Sequence, residues 1–327
     1  MKTTLLALGV LIAVCGAVFL YGPQEGAPTA TITHASDLPA QTGVHVTLPI
    51  FGAPSQEAHI FAAGDIMLDR KIREISSQMG ADYPFSCIDP LIQKADFAMA
   101  NLEGPITPNA SLSAGSIPGS TDNYYFTFPT STGALLSRHK LGAVDLGNNH
   151  ILNFGYKGLL STQENLSQAG VGYFGGVDGN EGVFETNING ISIAFIGYNE
   201  FGGSSVANVV NEIADERAAG KVVIVYSHWG DEYIDSSPRL RPVATLFAQA
   251  GASAVIGMHP HVVLGHEYIG DTLVYYSLGN FIFDQYFSSD VTHGLILMLD
   301  ISKDGHVTAQ EHPTVINRDG TTCEVVQ

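Results

Sequence analysis

Five short polar strings along the chain contain residue types that bind transition metals. Carboxylates stand in Gly64-Asp65 and Asn101-Leu102-Glu103, and histidines stand in Asn148-Asn149-His150, His228-Trp229-Gly230 and His259-Pro260-His261. Neutral imidazole, carboxylate and amide oxygen hold zinc, manganese or iron in hydrolases that activate water. The strings therefore predict a site for one or two divalent transition-metal ions (Mn, Zn or Fe).

The polar strings stand where apolar, strand-like runs end. Runs at 59–65, 96–101 and 144–148 lead into the first three strings, and runs at 221–227 and 254–257 lead into the last two. Because ligands collect at the carboxyl ends of strands in open α/β sheets, we expect these polar residues to meet at one edge. Further strands are predicted at 192–198, 272–278, 294–301 and 307–311, and helices at 88–94, 155–169, 206–219 and 238–250. This alternation predicts an α/β fold.

Longer motifs around the strings point to one family. They are Gly64-Asp65-Ile66-Met67-Leu68-Asp69-Arg70, Asn101-Leu102-Glu103-Gly104-Pro105, Asn148-Asn149-His150, Ser227-His228-Trp229-Gly230, Gly257-Met258-His259-Pro260-His261 and Tyr276-Ser277-Leu278-Gly279-Asn280-Phe281. In type and order they resemble the CapA family, the poly-gamma-glutamate capsule biosynthesis proteins of the calcineurin-like metallophosphoesterase superfamily. The resemblance covers residues 58–300 and implies a four-layer αββα sandwich with a metal site at one end of the paired sheets.

The resemblance also implies a role for each polar residue. His150 is similar to the general acid that protonates the leaving group. Met67 stands where phosphoesterases usually carry a histidine, and Asn101-Leu102-Glu103 replaces their Asp-x-x-Asp, so the first metal position has lost a ligand. The implied ligands are Asp65, Glu103 and His261 at the first position, with Glu103 bridging to Asn149, His228 and His259 at the second.

Substrate contacts are expected from the same strand ends. Arg70 opens a basic cluster with Lys71 and Arg73, in a chain with 14 basic and 32 acidic residues. Such a cluster could hold a phosphate or polymer carboxylates, and an ordinary solvated helix start accounts for it equally well. Trp229 could shape the pocket mouth or pack under the metal loops. The residues predicted to contact substrate are Arg70, Asn101, Trp229 and Asn280.

The segment 108–122 is rich in Ser, Gly and Pro and predicts a flexible surface loop. Its place directly after the Asn101-Leu102-Glu103 string makes a second interpretation available, in which the loop covers a bound substrate.

The amino-terminal sequence indicates export. Lys2 precedes an uncharged apolar run at 5–21, which is close to the lower limit for a membrane-spanning helix. We expect an uncleaved anchor, with a cleaved signal peptide as the alternative, and the positive-inside rule places the rest on the extracytoplasmic face of the membrane. The predicted parts are an anchor or signal at 1–22, a flexible tether at 23–57, a CapA-like domain at 58–303 and a carboxy-terminal hairpin and tail at 304–327.

Cysteine content and charge narrow the remaining possibilities. Cys87 and Cys323 could pair in an oxidising compartment, although free thiols are the default expectation for two cysteines so far apart in sequence. The formal net charge of −18 argues against nucleic-acid binding, because a polyanion would be repelled rather than attracted.

Together these features favour an exported CapA-like protein that acts in the synthesis or export of poly-gamma-glutamate or a related surface polymer. The expected chemistry is metal-assisted hydrolysis or transfer on an anionic polymer or a phosphoester, and the expected partner is a membrane polymer-synthase complex. Two alternatives stay open: a non-catalytic accessory that binds metal or polymer, and an exported metal-dependent phosphodiesterase.

Overall fold

Two β-sheets form the body of the protein. The computed structural model describes residues 57–177, 182–203, 205–234 and 238–325. Within these ranges the strands are β1 (Glu57–Ile66), β2 (Phe97–Leu102), β3 (Leu141–Asp145), β4 (Gly172–Phe174), β5 (Phe184–Ile188), β6 (Ile191–Asn199), β7 (Val222–His228), β8 (Ala254–Met258), β9 (Val263–Ile269), β10 (Thr272–Leu278), β11 (Asn280–Ile282), β12 (His293–Ser302), β13 (Val307–Ile316) and β14 (Thr322–Glu324).

Helices alternate with many of these strands. They are α1 (Arg70–Met79), α2 (Asp89–Ile92), α3 (Thr132–Arg138), α4 (Gly155–Gln168), α5 (Val206–Ala218), α6 (Leu240–Ala250) and α7 (Ser289–Thr292), with short 3₁₀ turns at Tyr83–Phe85 and Thr121–Tyr124. The mixed α/β prediction is therefore confirmed.

The strand order brings the carboxyl ends of parallel strands to one edge of each sheet. The first sheet has the order β14-β13-β12-β1-β2-β3-β4, with β11 beside the end of β1, and the second has the order β5-β6-β7-β8-β10-β9. Strands β1 to β4 run parallel to one another, as do β6, β7, β8 and β10, whereas β12 to β14, β5 and β9 add antiparallel neighbours.

The central strands of both sheets are buried on both faces. Alternate residues of β1 show this, because Ile60 and Ala62 pack between the sheets while Phe61 packs under the helices. On the far side, side chains of β7 and β8 pack against Val209 of α5 and Phe247 of α6. Double-sided burial explains why the strand sequences are continuous apolar runs rather than alternating patterns.

The carboxy-terminal segment is part of the first sheet. The predicted turn at 303–306 is confirmed, since β12 and β13 pair as an antiparallel hairpin, and β14 then pairs with β13. The predicted anchor at 1–22 and nearly all of the tether at 23–57 lie outside the described residues. In the part of the chain that the structure describes, no helix is long and apolar enough to cross a membrane.

A disulfide joins Cys87 to Cys323, so the expectation of free thiols is wrong. Folding brings the segment before α2 against β14, although 236 residues separate the two cysteines in sequence. Sequence spacing could not reveal this contact, because it depends on the pairing of β14 with the edge of the sheet.

Replacing both cysteines with serine is expected to lower the free energy of unfolding by about 2–4 kcal/mol, because the cross-link restricts a long loop of the unfolded chain. Urea titration of the oxidised, reduced and doubly substituted proteins measures the difference. Equal midpoints for all three would contradict the prediction.

Candidate metal centre

Asp65 lies at the carboxyl end of β1 in the first sheet. Its Cα pairs in register with Asn101 on one side and Asn280 on the other, so three polar side chains emerge side by side at the strand ends. Gly64 is required here, because a Cβ at this position would lie 1.9 Å from the carbonyl oxygen of Gly279. The sequence thus packs two backbones tightly together directly before the acidic residue.

Asp65, Glu103 and His261 form the first group of candidate ligands. One potential ligand atom from each lies within 4.8 Å of the others, and all three residues are buried. His261 Nδ1 is 3.5 Å from Asp65 Oδ2, and His261 Nε2 is 3.8 Å from Glu103 Oε1. Neither oxygen of Glu103 has a hydrogen-bond partner among the described residues. A buried carboxylate without donors fits a cation, which would satisfy both oxygens.

Asn149, His228 and His259 form the second group. His228 Nε2 is 2.9 Å from Asn149 Oδ1 and 3.1 Å from His259 Nδ1. Two ligand atoms at about 2.1 Å from one ion lie about 3 Å apart, so these spacings fit a shared metal ion. The structure therefore brings together all six residues predicted as metal ligands, in the two groups that the resemblance implies.

Met67 does not substitute for the missing histidine of the first group. Its side chain is buried, and its sulfur accepts a hydrogen bond from the backbone N–H of Asp69 at 3.1 Å. The first group thus offers two carboxylates and one imidazole, whereas the second offers two imidazoles and one amide oxygen.

His150 stands between the first group and the solvent. Its Nε2 lies 3.8 Å from Glu103 Oε1, its Nδ1 lies 3.2 Å from Asn153 Oδ1, and its ring packs on Phe126 at a centroid distance of 4.3 Å. An amide oxygen can accept a hydrogen bond but cannot donate one, so the contact with Asn153 Oδ1 places the proton of the neutral ring on Nδ1 and leaves Nε2 facing the carboxylate.

Three asparagines hold the ligands in place. Asn101 is fully buried, donates to Asp65 Oδ1 at 2.7 Å and accepts from Asn148 Nδ2 at 3.0 Å. Asn280 Oδ1 lies 2.9 Å from His261 Nδ1. Both Asn101 and Asn280 thus contact ligands beneath the site, so the structure gives no support to the prediction that they bind substrate directly. Asn148, which we did not predict as a site residue, was visible in the sequence only as the neighbour of Asn149.

Of the two interpretations of Trp229, the structure agrees with packing under the metal loops and gives no support to a position at the pocket mouth or to a substrate contact. Its side chain is fully buried, its indole N–H donates to the carbonyl oxygen of Tyr276 at 3.0 Å, and its ring stacks near Phe247. Trp229 follows His228 on the chain but points to the opposite face of the sheet, because successive strand residues alternate. It supports the histidine loop from below.

Two of the candidate ligands have unusual backbone geometry. His259 has φ of 91° and His261 has φ of 58°, and Arg70 and Tyr233 beside the centre also have positive φ. Non-glycine residues rarely adopt this region, and such positions cluster at functional sites. The tight turn through Pro260 brings the backbone N–H of His259 within 3.2 Å and Nδ1 of His261 within 3.5 Å of the same oxygen of Asp65.

Burial determines the protonation of the metal-free centre. Burial raises the pKa of Asp65 to about 7 and raises that of Glu103 well above its usual range. Burial also lowers the pKa of His259 to about 4 and that of His261 to about 3. The imidazoles are therefore neutral, as metal ligands must be, while the carboxyl groups hold protons that a cation would displace.

Metal affinity is consequently expected to fall as the pH drops below 7. A cation must then displace a proton from Asp65, which costs about tenfold in affinity per pH unit for each proton displaced, whereas His259 and His261 need none above about pH 5. Calorimetric titration with manganese at about pH 5.5 and about pH 7.5, in buffers of different ionisation enthalpy, measures affinity and proton release together. An affinity that does not change between these pH values would contradict the assignment.

A cleft of about 580 Å³ opens beside the centre. Arg70 and Tyr233 lie at the cleft and also contact groups around the centre, and the loop predicted at 108–122 forms one wall through Ser113, Ser116 and Pro118. This position supports the interpretation of the loop as a substrate cover. The loop is fastened at its start, where Ser111 donates to the buried carboxylate of Asp69 at 2.6 Å.

Arg73 of the predicted basic cluster and the two arginines at the start of α6 are paired with carboxylates. Arg73 forms an ion pair with Asp69 at 2.7 Å, Arg239 pairs with Glu200 and Asp231, and Arg241 pairs with Glu267 at 2.9 Å. Of the basic clusters seen in the sequence, Arg70 and Lys71 line the cleft, while Arg73 is structural.

Two stacked sheets whose strand ends carry a buried Asp/Glu/His group define an α/β protein that could hold a metal. Comparison with known sequences assigns it more narrowly. The chain belongs to the family described as bacterial capsule synthesis protein PGA_cap, whose model matches residues 59–285.

Individual relatives agree with this family. The chain is 28% identical over 242 residues to the PGA biosynthesis protein CapA of Bacillus subtilis (strain 168), covering 68% of this chain and 62% of that protein. It is 26% identical over 259 residues to the capsule biosynthesis protein CapA of Bacillus anthracis, covering 72% and 62% respectively. The chain therefore spans less than two thirds of the length of either relative.

A solved structure, that of TT1561 of Thermus thermophilus, is similar with a TM-score of 0.43 and 13% sequence identity, over 78% of this chain and 97% of that one. We draw no conclusion about the site from this likeness.

Proposed function

We propose that the protein is a metal-dependent hydrolase or transferase of the metallophosphoesterase type, acting outside the cytoplasm in the assembly of an anionic capsule polymer such as poly-gamma-glutamate. The polymer assignment comes from the family and from the names of the two relatives. One observation carries the chemistry: Glu103, fully buried beside His261, has no hydrogen-bond donor for either oxygen among the described residues.

We assign the candidate ligands to two metal positions. Asp65, Glu103 and His261 would hold one divalent ion, and Glu103, Asn149, His228 and His259 would hold a second. Such an ion would act as a Lewis acid on a phosphoryl or carbonyl oxygen and would make water a stronger acid.

His150 would supply the proton for the leaving group. Asn153 fixes its Nδ1–H, so Nε2 is the atom that takes up a proton and delivers it. Phe126 covers one face of the ring and restricts its rotation. An anionic substrate in the cleft would favour the protonated ring, because opposite charge stabilises the imidazolium.

A non-catalytic accessory is the second candidate, and Met67 favours it. Met67 is buried and stands at the sequence position where phosphoesterases usually carry a histidine. The first group is therefore left with three protein ligands. Such a protein would bind metal and polymer for a membrane synthase complex without breaking a bond. Hydrolysis of a generic phosphoester by the manganese-loaded protein would show that it is an enzyme and not a non-catalytic accessory.

Metal analysis tests the proposal directly. The purified protein is expected to contain about one or two equivalents of a transition metal. The variants His228→Ala and His259→Ala are expected to lose the second equivalent, while Arg241→Gln, a surface ion-pair control, retains the full content. A purified protein that binds neither manganese, zinc nor iron would refute the proposal.

A further inference from the structure

Arg70 occupies an unusual position between the metal centre and the cleft. It begins α1 with a positive φ of 47°, and only 11% of its side chain is exposed. Its guanidinium lies 5.0 Å from the centroid of Phe126 and 5.3 Å from that of Phe283, and it forms an ion pair with Asp284. Asp284 also accepts from the backbone N–H of Lys71 at 3.0 Å, which fixes the start of the helix.

This rigid arginine still has donor capacity. Its Nε–H is buried and has no partner among the described residues, whereas the guanidinium of Arg239, on the other side of the centre, is neutralised by both Glu200 and Asp231. A buried donor without an acceptor is unfavourable, so an incoming anionic oxygen would remove an existing penalty.

Arg70 shares its aromatic neighbours with two histidines of the site. Phe126 also packs against the ring of His150 at a centroid distance of 4.3 Å, and Phe283 packs against that of His261 at 4.9 Å. Arg318, the other arginine of the cleft, instead packs over the ring of Tyr286, 5.5 Å from its centroid. Arg70 therefore marks the end of the cleft that lies beside His150 and His261.

The cationic heads of the three basic residues along the cleft are each held by a different group. Lys71 pairs with Glu74 at 2.9 Å, and Arg318 donates to the carbonyl oxygen of Tyr286 at 3.3 Å. Both line the same cleft as Arg70. Donors that converge on one point fit a single phosphoryl group, but these three cations are held by separate partners. Their arrangement fits a chain with anionic groups at intervals.

We propose that Arg70, positioned by Asp284 between two aromatic rings, is the specificity residue of the site and binds an anionic group of an extended polyanion next to the bond that reaches His150. This inference rests on the proposed function, because it assumes that a bond is broken or held at the metal centre. Lys71 and Arg318 would contact anionic groups farther along the same chain.

Direct binding tests the inference. The probes are fluorescent tetraglutamate as a spaced polycarboxylate, tripolyphosphate as a compact polyanion and tetraglutamine as a neutral match, each titrated into the manganese-treated full chain. We expect tetraglutamate to bind at least about tenfold more tightly than tetraglutamine, and Arg70→Gln to abolish that preference. Tripolyphosphate binding tighter than tetraglutamate would overturn the assignment to a spaced chain.

Matched variants keep the result interpretable. Arg241→Gln removes an exposed, ion-paired arginine away from the cleft and is expected to leave binding unchanged. Arg70→Lys retains the charge, so it guards against misfolding of the glutamine variant, and it is expected to restore part of the affinity without the bidentate geometry.

Two outcomes separate this inference from the proposed function. Unchanged tetraglutamate affinity in Arg70→Gln, with metal content and hydrolysis intact, would overturn the inference alone. Absence of metal from the unmodified protein, with Arg70-dependent binding of tetraglutamate still present, would overturn the proposed function and leave the recognition role of Arg70 supported.

Discussion

Replacing Glu103 with glutamine is expected to abolish metal binding and to change the stability of the metal-free protein little. Glu103 belongs to the first ligand group and, in the proposed arrangement, is also a ligand at the second metal position, so its loss would affect both. Substitution of residues that merely orient ligands costs about 10–100-fold in metal affinity, and removal of a bridging ligand costs more. Because burial already raises the pKa of Glu103 and keeps the carboxyl neutral, the neutral amide should be accommodated in the metal-free fold.

Thermal unfolding with and without manganese measures both effects. At a metal concentration about 100 times Kd, the unmodified protein should gain about 2.7 kcal/mol of stability, and Glu103→Gln should gain none. Glu232→Gln provides the matched control, since Glu232 is a nearby carboxylate outside both ligand groups. A full metal-induced shift in Glu103→Gln would show that the buried carboxylate is not a ligand.

Replacing His150 with asparagine is expected to lower kcat by about 10²–10⁴-fold while metal content stays the same. The imidazole lies 3.8 Å from Glu103 and outside both groups of close ligand atoms, so it can be removed without losing a ligand. This combination separates an enzyme from an accessory, because a protein that only binds polymer has no turnover to lose.

Hydrolysis of a generic phosphoester by the manganese-loaded protein, together with metal analysis of the same samples, gives the comparison. His266→Asn serves as the control, because His266 is an exposed histidine of β9 that pairs with Glu311 of β13. Equal kcat in the unmodified protein and His150→Asn would exclude His150 as the general acid. Loss of metal in His150→Asn would instead make it a ligand.

Much of this site could be predicted from the sequence, because its ligands stand at strand ends. Asp65 and His228 each follow a continuous apolar run, and the parallel arrangement of such runs brings their ends together. The buried central strands were predictable for the same reason. Strands β4, β11 and β14 were missed, since three residues are too few for a pattern. Strands β5 and β9 were also missed, because they are partly exposed edge strands without a continuous apolar run.

Contacts across the fold could not be predicted in this way. Asp284 and Phe126 are distant from Arg70 in sequence and contact it only in the folded protein. Nothing in their local sequence indicates that they hold a cation. The sequence left Trp229 open between the pocket mouth and packing under the metal loops, and the fold decides for packing, because the indole lies in the core on the face of the sheet opposite His228. The disulfide between Cys87 and Cys323 likewise depends on the position of β14.

The positive φ angles of His259 and His261 create a conflict between protein stability and metal binding. Glycine at either position would relax the backbone and reduce the free-energy cost of the turn, yet it would remove an imidazole from the centre. Laboratory evolution under selection for heat resistance alone would therefore tend to accept glycine at these two positions and erode the site. A thermostable variant for structural or industrial use should be selected for metal retention at the same time.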